Sequence, residues 1–132
     1  MRTHLLNIVI IASMPVFSIG CSERVSFNDD VKPILTASCL QCHNGGGEGA
    51  EKSGFNVQDY NSLMKGTKFG PVVVAGESAS STLYRLIDHK ADPKIQMPPH
   101  HDVTVAEGKT APLEKAQIET IKKWIDQGAE NN

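Results

Sequence analysis

Apolar residues recur along the chain mostly at helical intervals. From Phe27, the apolar Val31, Ile34 and Leu35 follow at four, seven and eight positions, the stripe of one helix face. Asn28, Asp29 and Asp30 offer N-caps. Pro33 falls in the first turn, where a missing N–H costs little and acidic side chains meet the positive end of the helix dipole. The spacing predicts a helix that runs from Phe27 into Cys39. Asn44 to Gly49, with four glycines, predicts a flexible loop; no strand precedes it and the G-x-G-x-x-G spacing is missing, which argues against a phosphate cradle.

Asp59 is placed to cap a short helix with Tyr60, Leu63 and Met64 on one face and Gly66 as its stop. Phe69 to Ala75 reads as an extended apolar stretch, Gly76-Glu77-Ser78 as a turn, and Leu83, Leu86 and Ile87 as the stripe of another helix. A last helix, about Leu113 to Gln127, turns Ile118, Ile121, Trp124 and Ile125 inward and a Glu119–Lys123 pair outward, with Gly128 as its stop. There is no internal repeat, and one short valine run is too little for a sheet. The predicted fold class is all-α.

The first twenty residues follow a different pattern. Arg2 precedes an apolar run from Leu5 to Ile19, broken by Asn7, Ser13, Pro15 and Ser18. This run is shorter than the ~20 apolar residues of a spanning helix and reads as an export signal. It ends Ser18-Ile19-Gly20-Cys21, similar to a bacterial lipobox, although Ser18 stands where leucine is usual. Cys21 is therefore expected to become the lipidated first residue after cleavage, with an uncleaved anchor or plain signal cleavage as alternatives. The expected organisation is a lipoprotein-type signal peptide over 1–20, a tether over 21–26, one domain over 27–129 and a tail over 130–132. Residues 21–132 retain all fifteen acidic groups and all but one of the thirteen basic ones. Such a mildly acidic chain lacks the basic surface that nucleic acid requires.

The chemistry concentrates in Cys39-Leu40-Gln41-Cys42-His43. Two thiols three positions apart, followed at once by histidine, match the attachment site of a c-type haem, in which the cysteines form thioethers and His43 offers its imidazole to the iron. Structural zinc would need a second ligand pair, and no second cysteine pair exists, although His89, His100 or His101 could supply one ligand. A thioredoxin-like dithiol would be expected beside a βαβ pattern, which is missing. A plain disulfide would leave the adjoining histidine without a role. The aromatic content of 5% is modest for a core of this size, and a haem would add a flat apolar surface to pack around.

Met97 is the leading candidate for a sixth iron ligand. It lies in Lys94-Ile95-Gln96-Met97-Pro98-Pro99-His100-His101, a polar, helix-breaking segment with little use for a buried thioether unless something binds it. The two prolines stiffen the backbone just after it. His100, His101 or an open position are the alternatives. Met64 is read as core filler and His89 as a solvated residue at a helix end.

Taken in order, Cys39 to His43, Gly70 to Gly76 leading to Ser81-Thr82-Leu83-Tyr84-Arg85, Met97-Pro98-Pro99, and Trp124 to Ala129 resemble a class I mono-haem cytochrome c, with the planctomycete-type domain as the nearest pattern. The resemblance spans about Phe27 to Ala129. It implies a cytochrome c-like fold, with N- and C-terminal helices packed across each other around one covalently bound haem c, His43 proximal and Met97 distal. Two features depart from the pattern: the stretch His100 to Ala111 is long and polar, and Pro112-Leu113 stands where Ser or Thr followed by acidic residues is usual.

The expected function is one-electron transfer in the periplasm or cell envelope by a membrane-tethered lipoprotein rather than an enzyme. Redox partner proteins, membrane-associated and presenting a basic docking patch, would suit its acidic surface. The alternatives are a haem enzyme or small-ligand binder, acting on peroxide or a gas at an open or labile sixth site, and a haem module fixed within a larger assembly.

Overall fold

The computed structural model describes residues 23–99 and 112–132. The export signal, Cys21 and the segment from His100 to Ala111 lie outside the described residues. Every regular element among the described residues is helical, and the single β-bridge, Thr67 with Gly70, belongs to a tight turn.

The first helical run opens with a turn of π-helix over Phe27–Val31 and continues as α1, Lys32–Ser38. Its cap is Ser26, one residue before Phe27, rather than Asn28, Asp29 or Asp30. The Ser26 hydroxyl accepts from the Asp29 N–H at 3.2 Å, and Asp30 accepts the Ser26 N–H in return at 2.8 Å. The acidic residues thus sit inside the first turn, where carboxylates meet unpaired N–H groups. Pro33 lies in the first turn of α1, as the sequence predicts.

The glycine-rich stretch is only half a loop. From Glu48 it winds into α3, Glu48–Ser53, with Glu48 and Glu51 in its first turn and a Glu48–Lys52 ion pair along its side. After α2, Leu40–His43, and α3 comes α4, Tyr60–Lys65, capped by Asp59 through the Ser62 N–H at 2.9 Å and ending at Gly66. The extended stretch that follows is divided in its burial. Val72 and Val73 are buried, whereas Phe69 is 84% exposed. A 3₁₀ turn over Ser78–Ser80 leads into α5, Thr82–Ile87, and another over Pro93–Ile95 leads to Met97.

The last helix, α6, spans Lys115–Asp126 and starts two residues later than the apolar pattern implies. Glu114 is the N-cap and forms a capping box with Gln117, whose side chain accepts the Glu114 N–H at 2.9 Å. Leu113 stays outside the helix and is buried against the core. On the outer face the ion pair that forms is Lys122–Asp126, at 2.8 Å.

The first and last helical runs of the described residues pack across each other. Phe27 of the π turn lies 5.5 Å from Trp124 of α6 and 5.2 Å from Tyr60 of α4, ring centre to ring centre, and Tyr60 meets Trp124 edge-on. Such pairs contribute about 0.5–1.5 kcal/mol beyond the apolar area they bury. Both polar handles are satisfied: Trp124 Nε1 donates to Glu130 O at 2.9 Å and the Tyr60 hydroxyl to Ala129 O at 2.8 Å. Val31, Leu35, Leu63, Ile87, Ile121 and Ile125 complete the fully buried centre. Ile118, expected inward, is only partly buried at the edge of this cluster.

Residues 130–132 are bound into the fold. Asn132 accepts the Phe27 N–H through its side chain at 2.9 Å and the Asn28 N–H through its main-chain oxygen at 3.1 Å. Residues 23–26, expected as tether, are bound as well. The Gln127 side chain accepts the Val25 N–H at 2.8 Å and donates to Glu23 O at 3.1 Å.

Candidate haem site

The helical run breaks at Cys39, whose φ of −125° and ψ of −32° end α1 and begin α2. Its N–H still donates to Leu35 O at 2.9 Å, and its carbonyl accepts from both Cys42 N–H at 3.2 Å and His43 N–H at 2.9 Å. One tight turn therefore carries both thiols and the imidazole. Asn44 closes it by donating its side-chain amide to Leu40 O and Gln41 O at 3.0 and 3.2 Å.

His43 is held from behind. Its Nδ1 lies 3.1 Å from Phe55 O, and a carbonyl only accepts, so the proton of this bond resides on Nδ1. Nε2 is then the nitrogen with a free lone pair, the arrangement usual for a metal-ligating histidine. The Phe55 ring meets the imidazole at 5.2 Å with an interplanar angle of 65°.

The turn Asn44–Gly47 brings α3 back against this motif, and two glycines permit the approach. A Cβ on Gly47 would lie 2.5 Å from Cys42 O. A Cβ on Gly49 would lie 2.7 Å from His43 Cε1 and 2.9 Å from Nε2. Any side chain at 49 would fill the space beside the imidazole.

A cavity of about 470 Å³ opens at this point, within the range of small-molecule and cofactor sites. Cys39, Cys42 and His43 line it together with Met97, Pro98 and Pro99, with Glu48, Gly49 and Lys52 of α3 also at the wall. The strap carrying Met97 is hung from α5: the Met97 N–H donates to Leu86 O at 3.3 Å, and buried Gln96 donates to Ala91 O at 3.1 Å. The Met97–Pro98 peptide is cis.

The cysteines are free thiols and are not joined to each other. Burial pushes the Cys39 thiol up to about 11, and the neighbouring Cys42 adds to the shift. A redox dithiol calls for the opposite shift, toward a thiolate at neutral pH. Among the described residues no three His, Cys, Asp or Glu side chains gather to hold a metal ion, so the zinc reading gains no ligand set there. His89 is exposed at φ 54°, just past the end of α5. Met64 packs against the core, as a filler would. His100 and His101 lie outside the described residues.

Sequence reasoning singled out Cys39, Cys42, His43 and Met97 at this cavity, with Pro98 and Pro99 as the strap and the loop Asn44 to Gly49 at the haem edge, and did not assign Lys52 or the support behind His43. The Phe55 carbonyl leaves no trace in a sequence. Glu48 and Lys52 do leave one, since an acidic and a basic residue four apart are the mark of a helix.

An all-α domain whose cavity gathers an attachment motif, its histidine and a methionine strap has the residue set of a c-type cytochrome. Residues 39–101 match the model of the family described as Planctomycete cytochrome C, and this stretch is a planctomycete-type cytochrome c domain. The match begins at Cys39; the π turn, α1 and α6 join it through the packing described above. Comparisons with curated proteins and with solved structures each gave no match. A cytochrome c domain implies a haem c and haem-based electron transfer, and domains of this kind typically work outside the cytoplasm. No helix among the described residues is long and apolar enough to cross a membrane. The residues fit the implied group: two free thiols, an imidazole with a bare Nε2 and a thioether face one apolar cavity.

Proposed function

We propose that this protein is a one-electron carrier with a single haem c held by Cys39 and Cys42, with His43 and Met97 as axial ligands, tethered to a membrane outside the cytoplasm through a lipidated Cys21. The observation that carries this reading is the presence of Met97 in the lining of the same cavity as Cys39, Cys42 and His43. When bound, the haem supplies a reversible one-electron couple, and a His/Met pair raises its potential. Cys39 and Cys42 fix the group to one turn of backbone. His43, oriented by Phe55 O, presents Nε2 in a set direction. Met97 presents its sulfur from a strap whose backbone is stiffened by two prolines. These residues hold the geometry. The acidic surface suits a redox partner with a basic patch.

Absorption spectra of the purified protein and of Met97→Ala test the proposal. The expected result is a low-spin iron with a sulfur-to-iron charge-transfer band that Met97→Ala abolishes. A high-spin spectrum, or a band unchanged in the variant, would overturn the ligand assignment and favour a reactive haem.

A further inference from the structure

We infer that the pole formed by Glu23–Ser26 and Gln127–Asn132 faces the bilayer, so that the haem cavity is turned to the aqueous side; this rests on the lipid anchor proposed above. The sequence alone suggests a short tether over 21–26. The bonding removes most of it. Glu23 and Val25 are clasped by the Gln127 side chain, Arg24 pairs with Glu130 at 2.6 Å, and Asn132 donates to Val25 O at 3.4 Å. Val25 also packs against the core.

Glu23 is two residues beyond Cys21, a reach of at most about 7 Å even when fully extended. A domain of this size has a radius of gyration of about 13 Å. So short a leash holds the anchored pole down and keeps the far pole from rolling onto the lipid. The haem attachment turn is set off from the anchored pole by the helical run Phe27 to Ser38, which rises roughly 17 Å before Cys39 begins. Charge gives no competing reason for this pole to bind lipid. Arg24 is neutralised by Glu130, and Glu23 is acidic, so no basic cluster is present to draw anionic headgroups.

The test uses the full-length acylated protein extracted from membranes and rebuilt into oriented bilayers. The N-terminal peptide is first weighed to read its acyl chains. Polarised absorption should then show a haem with a fixed orientation. A flexible Gly-Ser spacer of about twelve residues, inserted between Ser22 and Glu23, extends the leash by roughly 20 Å and should abolish the dichroism. The same spacer should speed electron exchange with a quinol confined to the bilayer and leave exchange with an aqueous reductant unchanged. Native protein without dichroism, dichroism that survives the spacer, or an unaltered quinol rate would overturn the orientation. An N-terminal peptide without acyl chains would instead overturn the anchor, and the orientation with it.

Discussion

His43 and Phe55 are joined twice, once through the backbone and once through their rings. The carbonyl of Phe55 lies 3.1 Å from Nδ1, and its ring meets the imidazole at 5.2 Å. Replacing Phe55 by Ala keeps the carbonyl and removes the ring. Stability is expected to fall by about 3–5 kcal/mol, read from the denaturant midpoint, while the low-spin spectrum persists. Loss of the low-spin form under native conditions would show that the ring, not the carbonyl, orients the imidazole.

Gly49→Ala places a methyl group 2.7 Å from His43 Cε1 and 2.9 Å from Cys42 O, closer than carbon atoms tolerate. The imidazole has to tilt or α3 has to withdraw. The expected outcome is lower covalent haem incorporation and a shifted visible spectrum in the holoprotein that does form. Wild-type yield and spectrum would mean that α3 yields freely.

Trp124 is the largest fully buried side chain and lies in the aromatic cluster between the π turn and α6. Trp124→Ala should destabilise by about 3–5 kcal/mol. Trp124→Phe fills most of the space but leaves Glu130 O without its donor, and a penalty of about 1–3 kcal/mol is expected. Chemical unfolding of both variants separates the packing from the hydrogen bond.

Asp126 gives the fold a dependence on acid. Burial pushes its carboxyl upward, but hydrogen bonds from Lys122 and from the Ser78 side chain and N–H outweigh this and hold it below the usual range. A lowered folded value means that the carboxylate stabilises the fold at pH above its unfolded value, about 3.9, and loses that contribution as pH falls through the folded value. Asp126→Asn should therefore flatten the acid limb of a stability-against-pH curve, while changing stability at neutral pH less than Trp124→Ala does. An unchanged acid limb would assign the dependence to other carboxylates.

Gln127→Ala removes both bonds to the N-terminal strap, each contributing about 0.5–1.5 kcal/mol. Faster hydrogen exchange is expected at Val25 and its neighbours, with protection in α1 and α4 retained. Equal exchange in the variant would mean that Asn132 and Val25 packing alone hold the strap.

The sequence was most readable where side chains repeat at helical spacing or carry special chemistry. Phe27, Val31 and Leu35 declare the first helix, and Cys39, Cys42 and His43 declare the attachment turn, because each residue type is tied to one local geometry. Asp59 and Gly66 mark the ends of α4 for the same reason. The start of α3 was hidden: four glycines dominate the local composition, and only the Glu48–Lys52 pair hints at the turn of helix after Gly47. The clasp between Gln127 and the strap was also illegible. It joins residues 102 positions apart through a side chain that serves equally well in solvent.

The residues that line the cavity hang from different parts of the chain. Cys39, Cys42 and His43 grow directly out of α1, rooted in the core by Val31 and Leu35. Met97 is held by a hydrogen bond to Leu86 O at 3.3 Å and flanked by buried Gln96 and Pro98, with the Gln96 amide donating to His89 O and Ala91 O. Local opening follows the weaker suspension. The stretch that carries Met97 is therefore expected to loosen at lower denaturant than the attachment turn, with hydrogen exchange at Met97 rising before that at Cys42. Inactivation of the protein is then expected to pass through a stage in which it is still folded but open to small molecules.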